Sequence, residues 1–222
     1  VTTPPQPDAQ HLAAMRRSYE LGGLDEGDLA PTWLEQFERW LADAASGGVG
    51  EPSAMVLSTV GDDGAPDARF VLLKGLGADG LRFFGGAGSA KGRALAATPR
   101  AAIVFPWHDL QRQVRLAGPV HRLPDADIEA YFSSRPWGSQ ISALASPQSE
   151  VVASRAVLEA ARDELARRHP EGGPVPRPEG WVGWRLEPES VEFWQGRRDR
   201  LHDRLVYRLG GDGAWAVRRL AP

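Results

Sequence analysis

The sequence has no cysteine. Disulfides, thiolate metal centres and a cysteine nucleophile are therefore excluded. Asparagine is absent too, and lysine occurs only at Lys74 and Lys91, against 24 arginines. In a chain so depleted, the two lysines either mark places that need a compact ammonium on a flexible stem or are chance survivors. No run approaches the roughly 18 apolar residues of a membrane-spanning helix. Residues 1–10 carry neither a basic flank nor an apolar stretch, so no signal peptide is expected and a soluble cytoplasmic protein is the default. The net charge of −3 argues against a general attraction to nucleic acid or anionic lipid. The five histidines are scattered without His-x-x-x-His spacing, and no Gly-x-Ser-x-Gly elbow occurs, so neither a metal centre nor a serine hydrolase is expected.

What is present suits one folded unit. The chain has 222 residues, 42% of them hydrophobic, enough for a core without staples. Residues 1–10 read as a loose arm and Asp8–Glu20 as a short polar helix. Pro31–Ala45 predicts an amphipathic helix, with Trp33, Phe37, Trp40, Leu41 and Ala44 on one stripe and Pro31 in the first turn. Short apolar runs at Ala54–Val60, Arg69–Lys74 and Leu81–Phe84, separated by Asp/Gly turns, predict a β-meander. A helix is expected over Ser89–Ala97, then strands over Ala101–Trp107 and Gln113–Val120. Helices follow at Asp125–Ser134 and Glu150–His169. The latter would place Val151, Leu158, Ala161 and Leu165 on one face, with Ser154 in the gap. It also offers the ion pairs Asp163–Arg167 and Glu164–Arg168. After a Pro/Gly loop at 170–180, strands are expected at Trp181–Leu186, Ser190–Gln195, Arg204–Leu209 and Ala214–Arg219. The elements do not alternate strand and helix. The pattern therefore predicts an α+β, mainly β chain: an antiparallel barrel with flanking helices in a single domain.

Four segments carry chemistry. Gly85–Gly92 lies between a strand and a helix and contains Lys91, so it reads either as an anion-binding turn or as a flexible glycine turn with a solvated lysine. Arg69 and Lys74 bracket a strand at odd spacing, which puts them on opposite faces unless Lys74 stands at the strand end. Tyr131, Arg135 and Ser139 recur every four residues and suit a phosphate monoester or a polar helix end; Pro136 breaks the helix between them. Extended backbone would put Arg200, His202 and Arg204 on one face, where they meet an anion, meet a carboxylate or form a basic edge. Trp194 just upstream would stack on a planar ring or join the core. Ser146-Pro147-Gln148-Ser149 reads as a helix N-cap with proline at N1.

Together the segments RFVLLK (69–74), FPWHDLQRQV (105–114), YFSSRPWGSQI (131–141), SPQS (146–149), EFWQG (192–196) and RLHDR (200–204) resemble the pyridoxamine/pyridoxine 5′-phosphate oxidase family. The resemblance runs from Met15 almost to the C-terminus. It implies an FMN-binding split β-barrel and a homodimer with shared active sites. It also implies oxidation of pyridoxamine and pyridoxine 5′-phosphate to pyridoxal 5′-phosphate by dioxygen, with release of hydrogen peroxide. On this resemblance FMN would be held by Arg69, the backbone from Phe70 through Val71, Leu72 and Leu73 to Lys74, Phe84, Gly85, Lys91, Gln113, Gln148, Ser149, Trp194 and Arg204. The substrate phosphate would meet Lys74, Tyr131, Arg135 and Ser139. Arg200 and His202 would be the catalytic pair over the pyridine ring, and Arg16 and Tyr19 would close as a lid. Residues 1–20 would then be the arm or lid, and 170–222 the C-terminal strands completing the site. Family members often carry Tyr-Thr at Phe84-Gly85 and Arg-Lys at Ala90-Lys91, so weakened FMN retention is expected. A split-barrel flavin oxidase of the phenazine-pathway type, a non-catalytic flavin or pyridoxal-phosphate carrier, and an arginine-based nucleic-acid module are the alternatives.

Overall fold

The computed structural model describes residues 12, 14, 15 and 18–222. The arm expected at 1–10 and most of the helix expected at 8–20 lie outside the described residues. Ten strands and five α-helices are found among the residues described. The strands are β1 (Ala54–Val60), β2 (Pro66–Leu72), β3 (Gly75–Gly77), β4 (Gly80–Gly86), β5 (Arg100–Trp107), β6 (Arg112–Arg122), β7 (Trp181–Leu186), β8 (Ser190–Gln195), β9 (Asp203–Leu209) and β10 (Trp215–Arg219). The helices are α1 (Trp33–Ser46), α2 (Ala90–Ala97), α3 (Asp125–Ser134), α4 (Trp137–Ala145) and α5 (Arg155–Arg168).

All strand pairs are antiparallel, in the order β10-β9-β8-β6-β5-β1-β2, with a branch from β6 through β7 to β4 and β3. The length of β6 allows the branch. Its first half pairs β8 and its end, Val120–Arg122, pairs β7. Where β2 ends, Leu73 N–H donates to Ser53 C=O and Lys74 N–H to Arg82 C=O, both at 2.9 Å. The first bond extends the β1–β2 pairing and the second brings the end of β2 against β4 without a strand ladder, so the ring β6-β5-β1-β2-β4-β7 is a split barrel. The meander expected through 54–84 is thus corrected: β4 leaves β2 and pairs β7.

The period-two burial of β1 buries Met55, Leu57 and Thr59 inward. α1 seals one end of the sheet. Thr32 caps it by accepting from Glu35 N–H at 3.2 Å, so Pro31 precedes the cap instead of opening the first turn. Phe37 meets Phe105 at 4.9 Å and Trp107 at 5.9 Å, and Trp40 meets Phe193 edge-on at 5.2 Å. α4 was not expected. Pro136 ends α3 but serves as the N-cap of a new helix one residue later. α5 begins at Arg155, five residues after the predicted start, and none of its residues is buried. Val151 lies outside it and fully exposed, and Ser154 is its N-cap. Glu164 accepts from both Arg167 and Arg168, so the expected Glu164–Arg168 pair forms and Asp163–Arg167 does not.

Candidate active site

The first cluster forms where β2, β4, α2 and the 146–149 turn meet. Arg69 on β2 donates to Leu57 C=O at 3.1 Å and Thr59 Oγ1 at 2.8 Å, and pairs with Asp67. Ser89 caps α2 by accepting from Gly92 N–H at 3.3 Å, which places Lys91 in the first turn. Lys91 Nζ donates to Ser89 Oγ and Gln148 Oε1, each at 3.1 Å. Gln148 Oε1 also accepts from Gly86 N–H at 3.0 Å. Among the described residues Lys91 has no carboxylate partner. Its pKa is lowered, first by burial and then by the positive charge of Arg69. Two cations that oppose each other beside exposed backbone amides fit an anion between them. A cleft of about 400 Å³ opens here, lined by Gly86, Ser89, Ser146, Gln148, Gly180 and Trp181. A Cβ on Gly85 would lie 2.6 Å from Lys91 Cε and 2.7 Å from Nζ, so the missing side chain is the space the lysine uses. The 146–149 segment is a turn with Ser149 at φ 69, which corrects the expected helix N-cap.

The second cluster adjoins the first through Phe84. Its ring stacks on Tyr131 at 4.0 Å and lies 5.4 Å from Trp181. Gly183, opposite Phe84 across the β4–β7 ladder, leaves room for that ring: a Cβ there would meet Phe84 Cε1 at 2.5 Å. Arg135 follows α3 in extended backbone, as a residue before proline must, and its guanidinium lies 5.0 Å over Trp181. Its Nη1 is buried with no hydrogen-bond partner among the described residues. Burial lowers the Arg135 pKa and raises that of Tyr131, against the pull of the Arg135 charge. Ser139 lies in the first turn of α4 and is half-buried. Buried Gln140, to which the sequence reading gave no role, donates to the carbonyls of Phe132, Ser133 and Arg135 at 3.0–3.1 Å. It ties off the end of α3 that aims Arg135, and no local sequence pattern signals that role. Lys74 is exposed just past the end of β2, which settles its parity with Arg69 by the strand-end alternative. Phe70, on β2, is 68% exposed.

The third cluster lies on β8 and β9. Across β6, β8 and β9, Gln113, Trp194 and Arg204 are register partners. Trp194 is half-buried, outside the core that holds its neighbour Phe193. His202 packs on Trp194 at 4.6 Å, and Tyr19 meets both rings, at 5.8 and 5.7 Å. His202 Nδ1 accepts from Arg197 N–H at 3.0 Å, so this nitrogen carries no proton. Burial lowers the His202 pKa, with the Arg200 charge acting the same way and Asp203 opposing. The expectation that Arg200, His202 and Arg204 alternate on extended backbone is corrected. Asp199 and Arg200 take left-handed backbone at φ 55 and 62, and β9 starts at Asp203. Arg204 meets a carboxylate: buried Glu192 accepts from it at 2.8 Å. Arg16 lies outside the described residues.

Within one chain the expected residues therefore divide. Arg69, Phe84, Gly85, Lys91, Gln148, Tyr131 and Arg135 gather at the split of the barrel. Trp194, Arg200, His202, Arg204 and Tyr19 gather at β8 and β9, with Gln113 beside Trp194 on the central strand β6. β1, β5, β6 and β8 intervene between β2 and β9, five steps of about 4.8 Å along the sheet.

Residues 41–169 match the family profile described as pyridoxamine 5′-phosphate oxidase, and 181–222 that of the pyridoxine 5′-phosphate oxidase C-terminal dimerisation region. The chain belongs to the pyridoxamine 5′-phosphate oxidase family. It is a flavin-dependent oxidoreductase. A pyridoxine/pyridoxamine 5′-phosphate oxidase of Nocardioides is 54% identical over 211 residues, spanning 95% of this chain and 98% of the relative. One from Thermobifida fusca is 52% identical, spanning 97% of this chain and all of the relative. Among solved structures, PhzG from Burkholderia lata, in complex with tetrahydrophenazine-1-carboxylic acid, superposes with a TM-score of 0.85 at 30% identity. That match covers 93% of this chain and 100% of PhzG. The pyridoxamine 5′-phosphate oxidase fold explains the split barrel, and no described helix is long and apolar enough to cross a membrane.

Proposed function

We propose that the chain oxidises pyridoxamine 5′-phosphate and pyridoxine 5′-phosphate to pyridoxal 5′-phosphate, with FMN as cofactor and dioxygen as acceptor, releasing hydrogen peroxide. The observation that carries this reading is the buried, unpartnered Nη1 of Arg135, next to Tyr131 and beside a second cationic cluster. A buried guanidinium N–H left without an acceptor costs about 1–3 kcal/mol, and the dianionic phosphate of a substrate repays it. Arg69 and Lys91 would hold the FMN phosphate, with Gln148, Ser149 and the amides of Gly85 and Gly86 around it. The residues present fit such a group, since Lys91 is cationic, half-buried and free of carboxylates among the described residues. When bound, FMN supplies a ring that accepts hydride from the substrate carbon and is reoxidised by dioxygen.

The protein's share is orientation. Lys74, Tyr131, Arg135 and Ser139 clamp a phosphate remote from the reacting carbon, so its binding energy holds the pyridine in place. Arg200 and neutral His202 position the ring, Trp194, Gln113 and Arg204 line the flavin, and Tyr19 covers the site. Arg204 keeps two N–H groups for this, since three of its five serve Glu192 and Ala221 C=O. Because one group stands on the barrel strands β2 and β4 and the other on the C-terminal strands β8 and β9, we take the working site to be shared between two copies of the chain. The match of 181–222 to a dimerisation region and the exposed Phe70 on edge strand β2 support a homodimer. The 1–222 chain then acts as one FMN-binding unit in a cytoplasmic enzyme.

Gly85 and Ala90 supply no hydroxyl or guanidinium to the flavin phosphate, so exhaustive dialysis is expected to strip part of the flavin, read from absorbance per protein. The reaction itself is tested by adding pyridoxamine 5′-phosphate to the yellow protein without oxygen. Bleaching that air reverses, with peroxide formed, is expected; a flavin-loaded protein that stays yellow contradicts the proposal. The likeness to PhzG supports a second reading, an unphosphorylated phenazine-type substrate. Inorganic phosphate should compete with the first substrate class and leave the second untouched.

A further inference from the structure

Three segments meet at Gln111. It closes the short turn His108–Leu110 between β5 and β6 in left-handed backbone, φ 54 and ψ 36. Its carbonyl accepts from Gly196 N–H at 2.8 Å and from Gln195 Nε2 at 3.2 Å, which fixes it to the end of β8. Gln195 is buried and is held in turn by Arg112 Nε at 2.8 Å. The side chain of Gln111 reaches the N-terminal segment. Its Oε1 accepts from two successive backbone amides, Glu20 N–H at 2.7 Å and Leu21 N–H at 3.1 Å. Those amides follow directly on Tyr19, whose ring lies against Trp194, His202 and the backbone of Gly196. Like the two Gln111 bonds, the Glu20–Arg198 pair at 3.0 Å and Arg197 Nη1 to Gly22 C=O at 3.1 Å are solvent-exposed, and the half-buried Leu24 N–H to Asp203 Oδ2 bond at 3.0 Å anchors the chain only farther on. What sets Gln111 apart is that one oxygen holds two successive amides directly after Tyr19, whereas an exposed ion pair such as Glu20–Arg198 holds little.

We propose that Gln111 is a positioning residue: its side-chain carbonyl grips residues 20–21 so that Tyr19 covers the Trp194–His202 face over bound substrate. This rests on the reading of that face as part of the oxidase site. One carbonyl oxygen has two lone pairs, so a single side chain serves both amides and sets the direction of the chain as well as its distance. A carboxylate at the same position keeps both acceptors. Alanine loses them, and since it also carries a Cβ it meets the same left-handed backbone that Gln111 already accepts.

The experiment compares Gln111→Ala and Gln111→Glu in the full-length, flavin-loaded protein. Without substrate, amide hydrogen exchange at Glu20 and Leu21 should quicken by about tenfold in Gln111→Ala, the loss of roughly one hydrogen bond's worth of protection, and stay near the parent rate in Gln111→Glu. With pyridoxine 5′-phosphate, KM should rise by about tenfold in Gln111→Ala while kcat and flavin content stay within about twofold, and Gln111→Glu should restore KM. Unchanged exchange overturns the grip. Faster exchange with unchanged KM overturns the positioning role, as does a fall in kcat and flavin content with KM intact. If the parent itself does not oxidise pyridoxine 5′-phosphate, the functional reading fails, while the exchange comparison still upholds or overturns the grip.

Discussion

At the scale of single residues, the candidate site holds cations without a carboxylate partner among the described residues, Lys91 and Arg135, beside the paired Arg69 and Arg204. Arg135 is the sharpest case, because its Nη1 is sealed from solvent and unpaired in the described structure. On the proposed function, Arg135→Ala would remove charge-assisted bonds to the substrate phosphate and should raise KM by about tenfold to a hundredfold, with flavin content unchanged. Steady-state kinetics beside flavin absorbance reads both. His202 gives a pH dependence whose sign follows from burial. Its pKa is lowered below the ordinary value of 6.5. The neutral ring is the one that fits, with Nδ1 accepting from Arg197 N–H. Its contribution is present above about pH 6.5 and is lost as pH falls through the lowered value. kcat/KM should therefore hold at neutral pH and decline on the acid side, and His202→Gln should flatten that limb; an unchanged limb assigns it to another group. Much at this scale was legible in the sequence. Lys74 and Lys91 stood out by rarity, and Tyr131 and Arg135 by spacing. Gln111 and Gln140 were not legible, because their work is a set of hydrogen bonds to backbone groups 5 to 91 residues away.

At the scale of elements, aromatic packing fixes what the site stands on. α1 docks through Phe37 and Trp40 onto β5 and β8, and Phe37 is completely buried. Phe37→Ala should cost about 3–5 kcal/mol of unfolding free energy, from lost burial and the cavity left behind. A denaturant melt measures it, and a loss under about 1 kcal/mol would mean the helix re-docks. β1, α3, β7 and β8 were readable to the residue, since their apolar periodicity and flanking turns agree. Where local signals competed, reading failed. Pro136 signals a stop for α3, yet it is also the N-cap of α4. Ser146-Pro147 looked like a helix cap, but the chain turns at Ser149 and delays α5 to Arg155. The alternation of Arg200, His202 and Arg204 failed because two consecutive residues take positive φ without glycine, which no local pattern signals.

At the scale of the whole molecule, strand order decides how the site is assembled. An antiparallel barrel was legible from the element order, but the branch of β6 to β7 and β8 was not, since pairing between distant strands leaves no local mark. That branch sends the C-terminal strands outward, and with them Trp194, Arg200 and His202, away from Arg69, Lys91 and Arg135. In the proposed dimer, two copies of the chain bring these groups together. Mixing Arg135→Ala and Arg200→Ala subunits tests it, assayed at a substrate concentration far below the raised KM, where each alone has little activity. With random exchange, half the dimers are mixed, and each mixed dimer carries one intact site and one doubly altered site. Activity should recover to about a quarter of the parent's, as two-fold symmetry requires. If the re-equilibrated mixture stays as inactive as its components, while exchange of subunits is verified, the shared site is contradicted.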